Sequence, residues 1–446
     1  MSSTTASPSA PSKHMRRVVG ASVFGTALET YDLYLYGTAA ALVFGPLFFP
    51  DSDPTAATLL SLSTFAVSFV ARPLGAIVFG HFGDRLGRKQ MLYFTYLIMG
   101  ISTFLIGLLP TFDTIGVLAP ILLVAMRFSQ GFGFGGEYSG AVLMLTEHAP
   151  PAKRGFYAGL NNLGPVAGFV ASSGLFLLMN TVLTEQAFMA WGWRVPFLVS
   201  ILLVGAGLYV RTKVTESPVF KEQQAKAVTT KPGLPIAAVL RHHWKPLLIA
   251  TGANISQFAV FYLFSVYTLT YGVDELGLTR STVLWAVIIA ILTNIIAIPY
   301  ASALSDRIGR RKVLLTGFAI TVVWAFPFFA LFNTKNFGLI LVAFIVLMIS
   351  YSFVYGPVAS FMSELFPTSV RFTGSAVAYN LAGILGAAFA PIIATLLMAT
   401  YQSSSAISIF MIGITLISAV AVLLSRETRD LDLNHTDEPR ATKGRP

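Results

Sequence analysis

GHFGDRLGRKQ (80–90) and SALSDRIGRRK (302–312) are one passage written twice, once in each half of the chain, aligning Asp84 with Asp306, Gly87 with Gly309 and Arg88 with Arg310. Each copy is flanked on both sides by apolar runs long enough to cross a bilayer, so each reads as a tight basic turn between two membrane helices. Two more pairs keep the same order. EHAPPAKRG (147–155) answers ELFPTSVRFTG (364–374), each placing Glu, Pro and a basic residue followed by Gly, and Thr215-Glu216-Ser217 answers Arg426-Glu427-Thr428 more weakly. Three matched loops in chain order point to a duplicated unit whose copies share one orientation in the membrane.

Composition closes off other classes. Of 446 residues 55% are apolar and only 11% charged, with mean hydropathy +0.71, whereas soluble domains carry roughly 25% charged residues. Apolar spans are predicted at 17–45, 57–83, 89–109, 116–147, 154–182, 192–211, 244–272, 280–304, 312–332, 337–364, 371–397 and 403–425. Each can cross a hydrocarbon core roughly 30 Å thick. Backbone amides cannot stay unpaired in lipid, so the spans are helices. The predicted fold is an all-α membrane protein with twelve transmembrane helices in two six-helix bundles related by a pseudo-two-fold axis along the membrane normal. Residues 1–16 open with the polar MSSTTASPSAPS and read as a disordered tail without the apolar core of a cleaved signal. The bundles then occupy 17–211 and 244–425, the solvated segment 212–243 links them, and 426–446 forms a tail.

There is no cysteine, which excludes disulfides, thiolate nucleophiles and cysteine-bound metals. A net charge of +10 raises the question of nucleic acid, but the basic residues gather in alternate loops. Lys13, Arg16, Arg17, Arg85, Arg88, Lys89, Lys153, Arg154, the 212–243 connection, Arg307, Arg310, Arg311, Lys312, Arg371 and the tail fall on one side. The other side has Arg194, Arg280 and Lys335 beside Asp51, Asp53, Asp113, Asp274 and Glu275. The positive-inside rule therefore predicts both termini on the cytoplasmic side; the expected membrane is a bacterial inner membrane, and no nucleic-acid partner is expected.

GDRLGRK and SDRIGRRK resemble the loop motif of the major facilitator superfamily. Within it, ETYDLYLYGTAAALVFGPLFFP (29–50), ARPLGAIVFGHFGDRLGRK (71–89), RFSQGFGFGGEYSGA (127–141), GWRVPFL (192–198), TESPVF (215–220) and ELFPTSVRFTG (364–374) resemble the metabolite:proton symporter family along nearly the whole chain. That family carries shikimate, 2-oxoglutarate, citrate, or proline and betaine, and the spacing and AFPFF (325–329) look nearest its shikimate-type branch. Thr30 departs from the family, where Trp often stands, which would enlarge or reshape the site. The short polar tail provides none of the coiled coil of the proline and betaine members. The resemblance implies proton symport, and it implies a gate at the loop motif. Asp84 would sit against a helix N-terminus and Arg88 would pair with an acid, with Arg85, Glu137 and Glu147 in the same gate. Asp306, Arg310 and Glu364 would do the same in the second half. Topology alone, a basic loop held inside, also explains the motif.

Ionisable groups at bilayer depth cost at least ~2.5 to 3.5 kcal/mol each, so they persist where they pair or line a wet cavity. Five are expected at that depth, away from the ends of the spans: Glu29, Asp32, Arg72, Arg127 and Glu137. Glu29 and Asp32 are three apart on one face of the first helix, and Arg127 lies at a similar depth on the fourth. A carboxylate beside a guanidinium prefers its charge, whereas adjacent carboxylates in a low dielectric favour protonating one of them. Asp32 is thus the expected proton carrier, Glu29 its modulator or alternative, and Arg127 the cation released to a cargo carboxylate. A static ion pair fastening the two helices is the other reading. Arg72, preceding Pro73 and nearer the loop motif, reads as a gate or snorkelling residue. Gln130, Tyr34 and Asn161 in the first half and Gln257, Tyr355 and Asn380 in the second offer hydrogen bonds to a cargo, or equally to neighbouring helices.

GFGFGG (131–136) mimics a dinucleotide fingerprint but lacks the preceding strand, so it reads as a close-packing face. No H-E-x-x-H and no G-x-S-x-G with triad partners is present, so an enzyme is not expected. The expected protein is a monomeric, proton-coupled importer of a small organic acid or zwitterion, working by alternating access with no metal and no cofactor beyond the proton. A proton-coupled exporter or antiporter of an amphipathic compound is the alternative, against which a buried Arg127 argues for anionic cargo.

Overall fold

The computed structural model describes residues 13–86, 88–135, 149–213, 235–368, 370–429 and 431. Every regular element among them is helical. Twelve long helices follow one another: α1 (Lys13–Leu42), α2 (Pro54–Leu86), α3 (Arg88–Leu108), α4 (Leu118–Phe134), α5 (Arg154–Val182) and α6 (Val195–Lys213), then α7 (Trp244–Glu275), α8 (Arg280–Ile308), α9 (Arg310–Phe332), α10 (Phe337–Glu364), α11 (Arg371–Tyr401) and α12 (Ser404–Leu423). They form two bundles of six related by a pseudo-two-fold axis. Large apolar side chains such as Val70, Ile77, Leu202, Ile296 and Val323 cover the outside, a surface suited to lipid.

Small residues set the spacing inside the first bundle. A Cβ at Gly131 of α4, or at Gly135 just past its end, would overlap the carbonyls of Ser68 and Arg72 respectively, and one at Gly75 of α2 the carbonyl of Phe132. The described part of the glycine-rich run therefore packs α4 onto α2 backbone to backbone. The connection 212–243, expected to be solvated, differs in its described end. Residues Pro235–His242 form a short helix whose Val239 is buried with Leu247, Met362 and Phe366 on the second bundle. Its first six residues, Pro235 to Leu240, are all apolar and its polar residues, Arg241 and His242, fall in the last turn, so it has apolar surface to bury.

Two helices depart from regular geometry where the halves meet. α7 widens into π turns at Leu263–Tyr267 and Tyr271–Glu275, and α11 does so at Gly383–Ala388. Such single-turn bulges concentrate at functional sites because they re-aim side chains without ending the helix.

Candidate functional site

At the seam of the bundles lies a small chamber. The first bundle contributes Thr30, Leu33 and Tyr34 from α1, Arg72 from α2, Phe134 from α4 and Pro165 from α5. The second supplies Gln257, Phe258, Phe261 and Tyr262 from α7, Tyr351 and Tyr355 from α10 and Tyr379 from α11. The open volume is about 20 Å³, room for a water or so. Its walls are aromatic: Tyr34 lies 5.3 Å from both Phe169 and Phe261, and Tyr351 stacks on Tyr355 at 5.0 Å. Of the expected cargo residues, Tyr34, Gln257 and Tyr355 are on this wall. Gln257 donates to Asn254 at 3.0 Å, and its carbonyl oxygen is buried without a partner.

Arg127 and Gln130, expected at the cargo, lie instead inside the first bundle. Arg127 donates to the Gln130 carbonyl oxygen at 2.6 Å, and Gln130 donates to the Thr103 hydroxyl at 2.5 Å. That hydroxyl donates to the Met99 carbonyl at 2.9 Å, and it stands beside the Asp32 carboxylate. Asp32 is buried, as is Glu29 one turn earlier. Asp32 is within the electrostatic field of Arg127, but no ion pair within 4 Å joins them among the described residues. Helix geometry explains this: Leu33 and Tyr34 turn toward the chamber, so Asp32, roughly 100° away from its successor on α1, turns toward α3 and α4. The Arg127 guanidinium is held over the Tyr36 ring at 4.1 Å and the Phe65 ring at 5.0 Å.

Asn161 accepts from Ser22 at 2.7 Å and Thr26 at 3.1 Å, fastening α5 to α1, and Asn380 donates to Ala376 of its own helix at 2.9 Å. Neither lines the chamber. Asn162 is the residue that crosses the seam here, donating to the Tyr355 carbonyl at 2.6 Å.

Arg72, read from the sequence as a snorkelling or gate-pairing residue, lines the chamber. Its guanidinium is 4.1 Å from the Phe69 ring and 4.2 Å from the Phe134 ring, and Nε and Nη2 have no hydrogen-bond partner. The phenols of Tyr262, Tyr379 and Tyr34 are close enough to act on its charge.

The second copy of the loop motif is a bridge between halves. Asp306 accepts from the backbone N–H groups of Gly155 and Phe156 at 2.9 and 2.8 Å, so its charge faces the N-terminus of α5. Arg310, fully buried, pairs with Asp306 at 2.6 Å and Glu364 at 3.2 Å. Gly309 makes the turn at φ 102°, a conformation that favours glycine. Sequence reasoning missed the tail's part: Glu427 accepts from the N–H groups of Arg310 and Arg311 at 2.8 and 3.2 Å, and Thr428 donates to Glu364 at 2.6 Å. The weak third repeat was the available signal. The side chains of Asp84, Arg85 and Arg88, and all of Glu137 and Glu147, lie outside the described residues.

At the opposite end Arg280 of α8 pairs with Glu185, in the short helix Glu185–Ala190 that follows α5. This second link between the halves was not anticipated.

Relatives match nearly the whole of this chain. It is 44% identical over 429 residues to the "Inner membrane metabolite transport protein YhjE" of Escherichia coli K12, covering 95% of this chain and 97% of the relative. It is 38% identical to the shikimate transporter of the same organism (93% and 95% covered) and 34% identical to the glycine betaine/proline/ectoine/pipecolic acid transporter OusA of Dickeya dadantii (94% and 85%). The fold matches that of the xylose transporter XylE from E. coli in a partially occluded inward-open conformation, with TM-score 0.73 and 18% identity over 95% of this chain and 100% of that one. The Major Facilitator Superfamily profile matches residues 2–377 and 273–444. With matched loops, two six-helix bundles and a chamber at their seam, the chain belongs to the Major Facilitator Superfamily and is a multi-pass membrane transporter of metabolites, not an enzyme.

Proposed function

We propose that this protein takes up a small organic acid or zwitterion together with protons, by alternating access, across a bacterial inner membrane with the loop motifs and both termini on the cytoplasmic side. The observation that carries the reading is a buried acid one helix face away from the chamber, beside a Thr103 that Gln130 joins to a buried guanidinium. Arg72 and Arg127 lie in each other's field. When Asp32 is charged it offsets part of that positive field; when protonated it does not, and the chamber becomes more attractive to an anion. By reciprocity each ligand tightens the other's binding, which is the requirement for symport. Relatives named for shikimate and for betaine and proline support cargo of this size and polarity.

The test is uptake in proteoliposomes under an imposed pH gradient, with labelled shikimate, 2-oxoglutarate, citrate, proline and glycine betaine. Cargo uptake with external alkalinisation is expected. Absence of proton movement with every compound, or movement in the antiport direction, would reject the proposal. Asp32→Asn should abolish gradient-driven accumulation while sparing counterflow exchange. Equal loss of both would make Asp32 a binding or folding residue.

A further inference from the structure

We infer that Arg72 is the anchor for the cargo's carboxylate and that the chamber selects compounds with a single carboxylate; the inference rests on the transport reading and specifies its site. Arg72 is 2% exposed, so its charge is removed from water. The rings of Phe69 and Phe134 lie within 4.2 Å of the guanidinium carbon. These contacts soften the burial but supply no hydrogen-bond acceptor. The atoms left without partners are Nε and Nη2. They form one edge of the guanidinium, the edge that meets both oxygens of one carboxylate in parallel hydrogen bonds. A buried donor edge of this kind is costly to leave unmet, so it favours whatever ligand completes it.

Arg127 has the same two atoms unpartnered, but it stands over Tyr36 and Phe65 behind the wall and does not line the chamber. Among the described residues on the wall, Arg72 is the only charged one. A second carboxylate would therefore be buried among phenols and phenyl rings with no cation to meet it. The Gln257 carbonyl oxygen, also unpartnered, accepts hydrogen bonds and so suits a hydroxyl or ammonium group on the cargo's body rather than another anion.

The test is equilibrium binding to purified protein in lipid nanodiscs, with no pH gradient, read as a saturable rise in Tm. Shikimate, proline and glycine betaine represent one carboxylate, 2-oxoglutarate and citrate more than one, and shikimate methyl ester none. At least one single-carboxylate compound should stabilise the protein. The polycarboxylates should bind about 30-fold more weakly or not at all, as should the ester if shikimate is the compound that binds. Arg72→Gln should erase the ligand-dependent rise while keeping a cooperative transition without ligand. Arg72→Lys, which retains the charge but loses the planar fork, should weaken binding by about tenfold, and it decides the matter if Arg72→Gln does not fold. Undiminished binding to the Arg72 variants, preference for a polycarboxylate, or no stabilisation by any single-carboxylate compound would overturn the inference. Because binding is read without a gradient, such a result leaves the Asp32→Asn coupling test standing, and failure of coupling leaves the binding result intact.

Discussion

Thr103 shows how much of the site depends on one hydroxyl. It accepts from Gln130 at 2.5 Å and stands between that amide and Asp32, where a turn of the hydroxyl would join the acid to the Arg127 cation. Thr103→Val keeps the shape and removes the link, leaving a buried amide donor unmet at a cost of about 1–3 kcal/mol. Gradient-driven accumulation should fall by roughly tenfold, counterflow should stay near wild type, and Thr103→Ser should restore coupling. Coupling equal to wild type in Thr103→Val would remove the relay. The charged members of this network were legible in the sequence because a charge in an apolar run is conspicuous. Thr103 was not: a threonine in a membrane helix ordinarily bonds its own backbone, and sequence does not fix which face of α3 turns to α1. Arg72 was legible as a charge, but the sequence did not show that it faces the chamber. α2 runs on to Leu86, which puts residue 72 about 21 Å from that end, at the chamber rather than at the loop.

At the scale of elements, the duplicated turns were readable because the motif's chemistry is local: a glycine for the φ of 102° at Gly309, an acid before it and an arginine after it. Which helix the acid would meet became visible only in three dimensions. Asp306 binds the first turn of α5, in the other bundle, so the contact exists only while the motif-bearing ends of the halves are together. A carboxylate at a helix N-terminus contributes ~0.3 to 2 kcal/mol, and hydrogen bonds to a charged group add ~1.5 to 3 kcal/mol. Asp306→Asn keeps an acceptor for one N–H and loses the charge, so this end should open about tenfold more often. The chain has no cysteine, which makes a single Ser302→Cys a clean reporter. Ser302 is buried between Gly159 of the first half and Gly356 of the second. Alkylation by N-ethylmaleimide should be about tenfold faster when Asp306→Asn is added, and an unchanged rate would show that the contact does not hold this end shut. The glycine-rich packing of α4 on α2 was also foreseeable, since only small residues let helices approach so closely in lipid.

The whole molecule is held at both ends of the seam, by a buried charged network at the motif end and by a largely exposed ion pair at the other. Twelve spans and two halves followed from hydropathy and repeat, but the conformational state did not, because all states of such a transporter share one sequence and differ by small free energies. In the state seen here the motif end is joined through Asp306 and Asn162, the opposite end through Arg280 and Glu185, and the middle through Tyr34 against Phe261 and Tyr262. A chamber of about 20 Å³ cannot contain a metabolite, so cargo must part the halves to bind. The Arg280–Glu185 pair is the most easily tested hold, since Glu185 is 65% exposed and the pair's contribution is discounted by solvent to at most ~1 kcal/mol. Arg280→Glu sets two acids face to face and should shift the population toward opening at that end by no more than about fivefold, read as longer distances between spin labels placed on either side of the seam. The exchanged pair, Glu185→Arg with Arg280→Glu, should return the distances to wild type if the attraction itself is what matters. If the exchanged pair stays as open as Arg280→Glu, the packing of Arg280 on the Phe188 ring, at 5.8 Å, holds this end instead, and the ion pair is incidental.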